Sequence, residues 1–282
     1  MVIKHEFKNL NPKTDNIVTD IRGNKGERGE VIVIREIYNL SKNNDIRSLV
    51  SIFGIDAEHN IIIYNMDTRT PIEKETDIKK AKSKSKADFM FKFIKNDTYV
   101  HCSIKCEHGA MPAILNHTPR SARVFQTGGD LSEELENLDN NISYFNKERF
   151  NKNIGEDIHI KNMNICDESA DGIIRVVSYF LFDGTGAGKS KYPANSILEI
   201  RNPHDIKNWV FYNCIDDVKK YEYTKNIYDR IVLSMRDKGM PRRKNLLCEP
   251  WIFYQEKDDG VIKEKGSLHI RLAKSCPESG IR

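Results

Sequence analysis

The sequence predicts an α/β (α+β) protein with a central mixed β-sheet flanked by helices and a strand-rich extension at its C-terminal end. Three observations predict it. Residues 27–40 (ERGEVIVIREIYNL) carry Ile34, Ile37 and Tyr38 on one helical stripe. Residues 87–94 (ADFMFKFI) and 99–106 (YVHCSIKC) are β-rich runs joined by the polar turn KNDT. Beyond residue 170, short apolar runs alternate with a helical stretch. A chain of 282 residues with 39% hydrophobic and 30% charged residues can bury a substantial core.

The remaining elements follow in order. Residues 48–55 and 60–65, separated by the polar DAEH turn, suit a hairpin, and residues 67–86 form a charged loop. A short helix is expected over 119–126 and a longer one over 132–150, with Ser132 as N-cap. Strands are expected at 172–182, 196–200, 209–214, 250–255 and 267–272, with a helix around 219–236. The expected division is a catalytic core over 1–150, with 151–282 supplying the remaining sheet and a recognition region packed as one unit with it.

Composition excludes several classes. No run of about 18 apolar residues could span a membrane. The charged start lacks the apolar stretch of a secretory leader, so a soluble cytoplasmic protein is expected. Cysteines 102, 106, 166, 214, 248 and 276 have no paired spacing and read as reduced thiols. Cys102 and Cys106, about 13 Å apart along a strand, are too distant to share a zinc ion. The net charge of +4 does not by itself indicate a nucleic-acid partner. Its distribution is more informative. Residues 78–86 (IKKAKSKSK) hold five lysines and lead directly to Asp88, and residues 240–244 add Arg242 and Arg243.

Strand alternation gives the 87–106 hairpin its chemistry. Asp88, Met90 and Lys92 share one face of the first strand. His101, Ser103, Lys105 and Glu107 share one face of the second, and Cys102, Ile104 and Cys106 take the other. An acid at the start of one strand and a lysine on its neighbour then converge at one sheet edge, where a metal-assisted phosphodiester hydrolysis needs them.

These residues resemble the PD-(D/E)xK nuclease superfamily, which includes most type II restriction endonucleases. The family's PD is matched by Ala87-Asp88 and its (D/E)xK by Ser103-Ile104-Lys105, an SxK variant. The likeness covers the hairpin and, with the helix at 27–40, the order of the family's core. It implies a restriction-endonuclease-like core, with Asp88, Ser103 and Lys105 catalytic. A serine lacks the charge that a divalent cation seeks, so a second carboxylate is required: Glu30 first, then Glu107, with Glu27 one helical turn before Glu30. Metal ligands would be Asp88 with Glu30 or Glu107. If none of these serves, Ser103 marks an inactive site. The plainer alternatives are an edge Asp, a solubilising strand Lys, and acids that favour a helix N-terminus.

The resemblance implies a type II restriction endonuclease: a homodimer cleaving double-stranded DNA at a short sequence with Mg²⁺ (Mn²⁺ substituting), leaving 5′-phosphate and 3′-hydroxyl ends. Candidate DNA contacts are Lys84, Lys86, Asn116, His117, Arg120, Arg123, Gln126, Arg242 and Arg243. Residues 208–214, 236–245 and 263–271 are candidate sequence readers. Two alternatives stand beside it: a structure-specific repair or recombination nuclease, and an inactive DNA-binding protein on the same fold.

Two further motifs are set aside. Residues 184–190 (GTGAGKS) suggest a P-loop, but Asp183 replaces its first glycine and Pro193 would break the helix that must follow, so no nucleotide cofactor is expected. A loop closing on DNA fits the segment better. Asn116-His117 with Gly128-Gly129 and Asn137 faintly resembles the HNH nuclease pattern, without its CxxC pairs.

Overall fold

The computed structural model describes residues 25–54, 60–82, 85–95, 97–107, 111–117, 170–185, 188–236, 253–256, 262–265 and 267–272. Helix α1 (Lys25–Lys42) is a helix because its apolar residues recur on a broad stripe, with Glu27 in the first turn and Lys42 in the last to suit its dipole. Val31, Val33, Ile34, Ile37 and Leu40 are all buried.

The next segment corrects the expectation that 48–55 forms a hairpin with 60–65. Residues Ile46–Phe53 form a second helix, α2. Asp45 caps it by accepting the N–H of Ser48 (3.2 Å) and its hydroxyl (2.8 Å). Gly54 ends it at φ 65°, its N–H donating to the Val50 carbonyl. Leu49, Ile52 and Phe53 are buried at the i, i+3, i+4 spacing of a helix, and the cap and the glycine outweigh the β-branched content of the run.

The central sheet has five strands in the order β1 (Ile61–Tyr64), β2 (Phe89–Phe93), β3 (Tyr99–Cys106), β7 (Ser196–Ile200) and β8 (Trp209–Asn213). The first three form an antiparallel meander, β7 runs parallel to β3, and β8 is antiparallel to β7. The fold is therefore mixed α+β, with one mixed sheet flanked by helices. Residues from both sides of position 150 build this sheet.

The faces of the sheet carry two cores. On one, Ile61, Ile63, Phe89, Phe91, Cys102, Ile104, Leu198 and Ile200 pack with α1 and α2. Phe53 of α2 lies 4.7 Å from Phe91, ring centre to ring centre. On the other, Met90 and Ile197 pack with the helix α3 (Ala170–Ser178) and its π-turn extension Tyr179–Asp183. Residues 172–182 were expected as a strand. They are helical: Ile174, Val176, Val177, Phe180, Leu181 and Phe182 are buried while Arg175 is exposed, and the mostly apolar run obscures that helical period.

Helix α4 (Asp217–Asn226), capped by Asp216, covers the same face, with Tyr223 against Tyr212 of β8 at 4.9 Å. The expected helix over 219–236 thus ends early. Its second half is strand β9 (Ile231–Arg236), recruited by pairing with β12 (Ser267–Leu272). β12 also pairs with β4 (Ala113–His117), making a three-stranded sheet in the order β4-β12-β9. Strands β10 (Phe253–Glu256) and β11 (Ile262–Lys265) form a separate hairpin, so the described C-terminal residues are rich in strands, as expected. No helix among the described residues is long and apolar enough to cross a membrane. The helices expected over 119–126 and 132–150 lie outside the described residues.

Candidate active site

The site forms where β2 and β3 part. Their pairing runs from Lys92↔Tyr99 to Phe89↔Cys102, and the Asp88 N–H still donates to the Cys102 carbonyl at 2.8 Å. Beyond that point β3 continues to Cys106 beside β7, with Asp88 at the opening on its other flank. There the Asp88 carboxylate takes the place of a strand: Oδ2 accepts the Ile104 N–H at 2.6 Å. Oδ2 also accepts the Ser103 hydroxyl at 3.2 Å, and Lys105 Nζ donates to Ser103 Oγ at 3.1 Å. No described residue donates to Asp88 Oδ1. Asp88, Ser103 and Lys105 are therefore one hydrogen-bonded chain, as strand alternation predicts. Ser103 and Lys105 are both buried. A buried lysine demands a partner, and Ser103 supplies one without the charge of an acid.

Two further charged residues reach this chain electrostatically. Burial first, and then the charge of Asp88, push the Glu30 carboxyl up to about 8 against the lowering effects of Lys105 and Lys80. Glu30 comes from the first turns of α1. Lys86 is pushed down to about 7, by burial and then by Lys105, while Asp88 and Glu30 oppose the shift. The site thus contains Glu30, Lys86, Asp88, Ser103 and Lys105.

The other candidate carboxylates lie elsewhere in the network. Glu107 continues β3, its N–H donating to the Ile200 carbonyl at 2.8 Å. Its charge, like that of Glu30, acts on Cys106. Glu27 is paired with Lys80, from the lysine-rich approach to Asp88. Asn116 and His117 belong to β4, paired with His269 and Leu268. Lys84, Arg120, Arg123, Gln126, Arg242 and Arg243 lie outside the described residues.

Two carboxylates of the site could hold a divalent cation. Asp88 and Glu30 are hard oxygen donors, and a cation between them would relieve the repulsion and desolvation that keep Glu30 protonated. Among the described residues no three His, Cys, Asp or Glu side chains converge. Cys102 and Cys106 lie on the opposite face; burial raises both thiols, Cys106 to about 12, as suits inert core cysteines.

The P-loop look-alike has a structural part beside this site. Gly184–Thr185 (β5) and Gly188–Lys189 (β6) pair as a small hairpin, and the chain then runs into β7 instead of a phosphate-capping helix. Ser190 Oγ accepts the Lys86 N–H at 3.0 Å and the Tyr192 N–H at 3.1 Å. The Tyr192 carbonyl accepts from Lys86 and Ala87. Asn195 then exchanges bonds with the His101 backbone, 2.8 Å through its side chain and 2.9 Å through its N–H. Residues 190–195 therefore stitch the approach to Asp88 onto β3.

One buried group was missed. Glu199, fully buried and opposite Lys105 in the β3–β7 register, accepts the Tyr223 hydroxyl at 2.7 Å and both Arg230 nitrogens at 2.9 and 2.7 Å. Its signal is the single acid in the apolar run SILEI, since a charge there requires a buried partner. No protein-family model matches the chain, and no curated protein or solved structure matches it either.

Proposed function

We propose that the protein is a divalent-metal-dependent endonuclease acting on double-stranded DNA. The observation that carries this reading is the chain Ile104 N–H, Asp88, Ser103, Lys105 at the parting of two strands, with Glu30 brought within electrostatic reach. The order of helix, strand, Asp88 strand and Lys105 strand supports it, because the resemblance to the PD-(D/E)xK core rests on that order.

In this reading Asp88 and Glu30 hold the metal, Mg²⁺ or Mn²⁺. When bound, the cation supplies positive charge at the scissile phosphate and lowers the pKa of an attacking water. The Ile104 N–H fixes the Asp88 carboxylate, so no side-chain freedom is lost when the substrate arrives. Ser103 holds the Lys105 ammonium beside Asp88, where it orients the nucleophile and stabilises the negative charge that develops on phosphorus oxygens. Lys86, half-buried on the approach, offers a second cation for the phosphate. Action as a homodimer at a short specific site, in the manner of a type II restriction enzyme, is the finer form of this proposal.

Plasmid digestion in Mg²⁺ tests it. Wild-type protein converts supercoiled plasmid to linear fragments, and Asp88→Ala and Lys105→Ala do not. Discrete fragments identify sequence-specific cutting, whereas cutting confined to junctions or flaps identifies a structure-specific enzyme. Plasmid left intact in both Mg²⁺ and Mn²⁺ sinks the proposal, and DNA binding without cleavage would point to an inactive reader.

A further inference from the structure

Beside the catalytic chain stands an arrangement of cations that neither Asp88 nor Lys105 uses. Arg69 sits in the turn after β1 with a left-handed backbone, φ 58°. For a residue with a β-carbon that conformation costs energy unless the surroundings fix it. Here they do. The Arg69 N–H donates to the Asn65 carbonyl at 2.9 Å, and the Asn65 side chain accepts from Asp67 and Thr68 at 2.9 and 3.1 Å. The turn holds the guanidinium 4.4 Å above the ring of Tyr192. Lys191 places its ammonium 5.5 Å from the same ring. Both cations are exposed, and no described carboxylate pairs with either.

The location gives the arrangement its meaning. The Tyr192 carbonyl is bonded to Lys86 and Ala87, directly before Asp88. Arg69 also acts on the strand that carries Ser103 and Lys105: its charge, after burial, lowers the pKa of His101. A guanidinium without a carboxylate, set on an aromatic ring and held by a fixed turn, presents its remaining donors in one direction. Planar donors of this kind match phosphate oxygens.

We propose that Arg69 and Lys191, braced on Tyr192, form a clamp for the sugar–phosphate backbone of the DNA strand, gripping a phosphate adjacent to the one cleaved. The clamp rests on the nuclease reading and extends it. It reads no bases, so its contribution is independent of sequence and sensitive to salt. The tyrosine ring stiffens the cations instead of stacking on a base, because its face is occupied by the guanidinium.

The test is equilibrium binding of a fluorescent DNA duplex to the full chain in EDTA, between about 50 and 300 mM salt, alongside plasmid cleavage in Mg²⁺. Arg69→Gly removes the cation while relieving the backbone, and Lys191→Ala removes its neighbour without touching the turn. Each is expected to weaken binding about tenfold, and to reduce the slope of log affinity against log salt by about 1. Arg69→Lys should recover part of the affinity. Lys42→Ala is the matched control, since Lys42 also stands over a ring, Tyr38, at the far end of α1. It should change nothing. Wild-type cleavage with unchanged affinity and slope in both Arg69→Gly and Lys191→Ala overturns the clamp and leaves the nuclease reading standing. Neither binding nor cleavage by the wild type overturns both.

Discussion

Asp88 Oδ2 accepts the Ile104 N–H at 2.6 Å across the opening between β2 and β3, so a single carboxylate both closes a strand edge and faces the candidate metal site. The two roles can be separated. Asp88→Asn keeps an oxygen for Ile104 and removes the charge a cation needs. It should melt within a few degrees of the wild type and cleave at least about a hundredfold more slowly. Asp88→Ala also orphans the Ile104 N–H, which adds about 1–3 kcal/mol of destabilisation. Thermal melts and plasmid digestion of both variants check this. Equal melting of the Asn and Ala forms would show that the bond to Ile104 contributes nothing.

The second carboxylate is the next prediction. Glu30 is within electrostatic reach of Asp88 and Lys105, and Glu107 is not among the groups that shift it. Glu30→Gln should weaken Mn²⁺ binding by at least roughly tenfold, the low end of what losing even an outer partner of a metal ligand costs. Glu107→Gln should leave it nearly unchanged. Calorimetric titration with Mn²⁺ decides between them, and the reverse order would move the metal along β3.

How far the site was legible in the sequence follows from the kind of signal each residue leaves. Asp88, Ser103 and Lys105 sit on one short hairpin, where a period of two and a polar turn fix both register and facing residues. Glu30 was legible as a carboxylate on a helix face, though only tertiary packing brings its charge to Asp88. The helix Ile46–Phe53 was misread because SLVSIF has the content of a strand, while its evidence lay in Asp45 and Gly54 at the ends. Residues 172–182 were hard to resolve by period, since most of the run is apolar and buried and its polar side is marked chiefly by the exposed Arg175. Arg69 and Tyr192 are far apart in sequence, and nothing local to either predicts that they stack.

Stability of the metal-free protein should depend on pH through Glu30. Its carboxyl titrates near 8 in the fold against an ordinary value of 4.5. A group with a raised folded pKa binds its proton more tightly in the native state, so stability is greatest below the unfolded value and falls as pH rises toward the folded one. Lys86 works in the opposite direction, but only above about 7, where its own lowered pKa begins to act. Between about pH 5 and pH 7 Glu30 shares the loss with the raised Glu199 while the lowered His101 opposes it, and the melting temperature in EDTA should fall, the Glu30 share being what Glu30→Gln removes. Glu30→Gln should flatten that slope, and Mg²⁺ should restore the wild type at the upper end. A slope unchanged by Glu30→Gln would assign it to another group.

The buried Glu199–Arg230 pair provides the last prediction. Glu199 has no exposure, is held by two Arg230 nitrogens and the Tyr223 hydroxyl, and stands opposite Lys105 across β3 and β7. Burial raises its pKa while Arg230 and Tyr223 hold it down. Removing one partner leaves a buried charge, at a cost of about 3–5 kcal/mol, which Glu199→Gln should show because arginine cannot shed its proton. Arg230→Met differs in kind. The orphaned Glu199 can take up a proton, so this variant should be nearly stable in mild acid and lose stability as pH rises. Glu199→Gln/Arg230→Met should recover part of the loss of Glu199→Gln, since neither charge remains. Urea unfolding of the three variants at about pH 5.5 and pH 8 reads all of these outcomes. Because Lys105 and Glu199 are register partners, the single variants that loosen β7 should also slow cleavage, whereas a change in stability with normal cleavage would confine the pair to the fold.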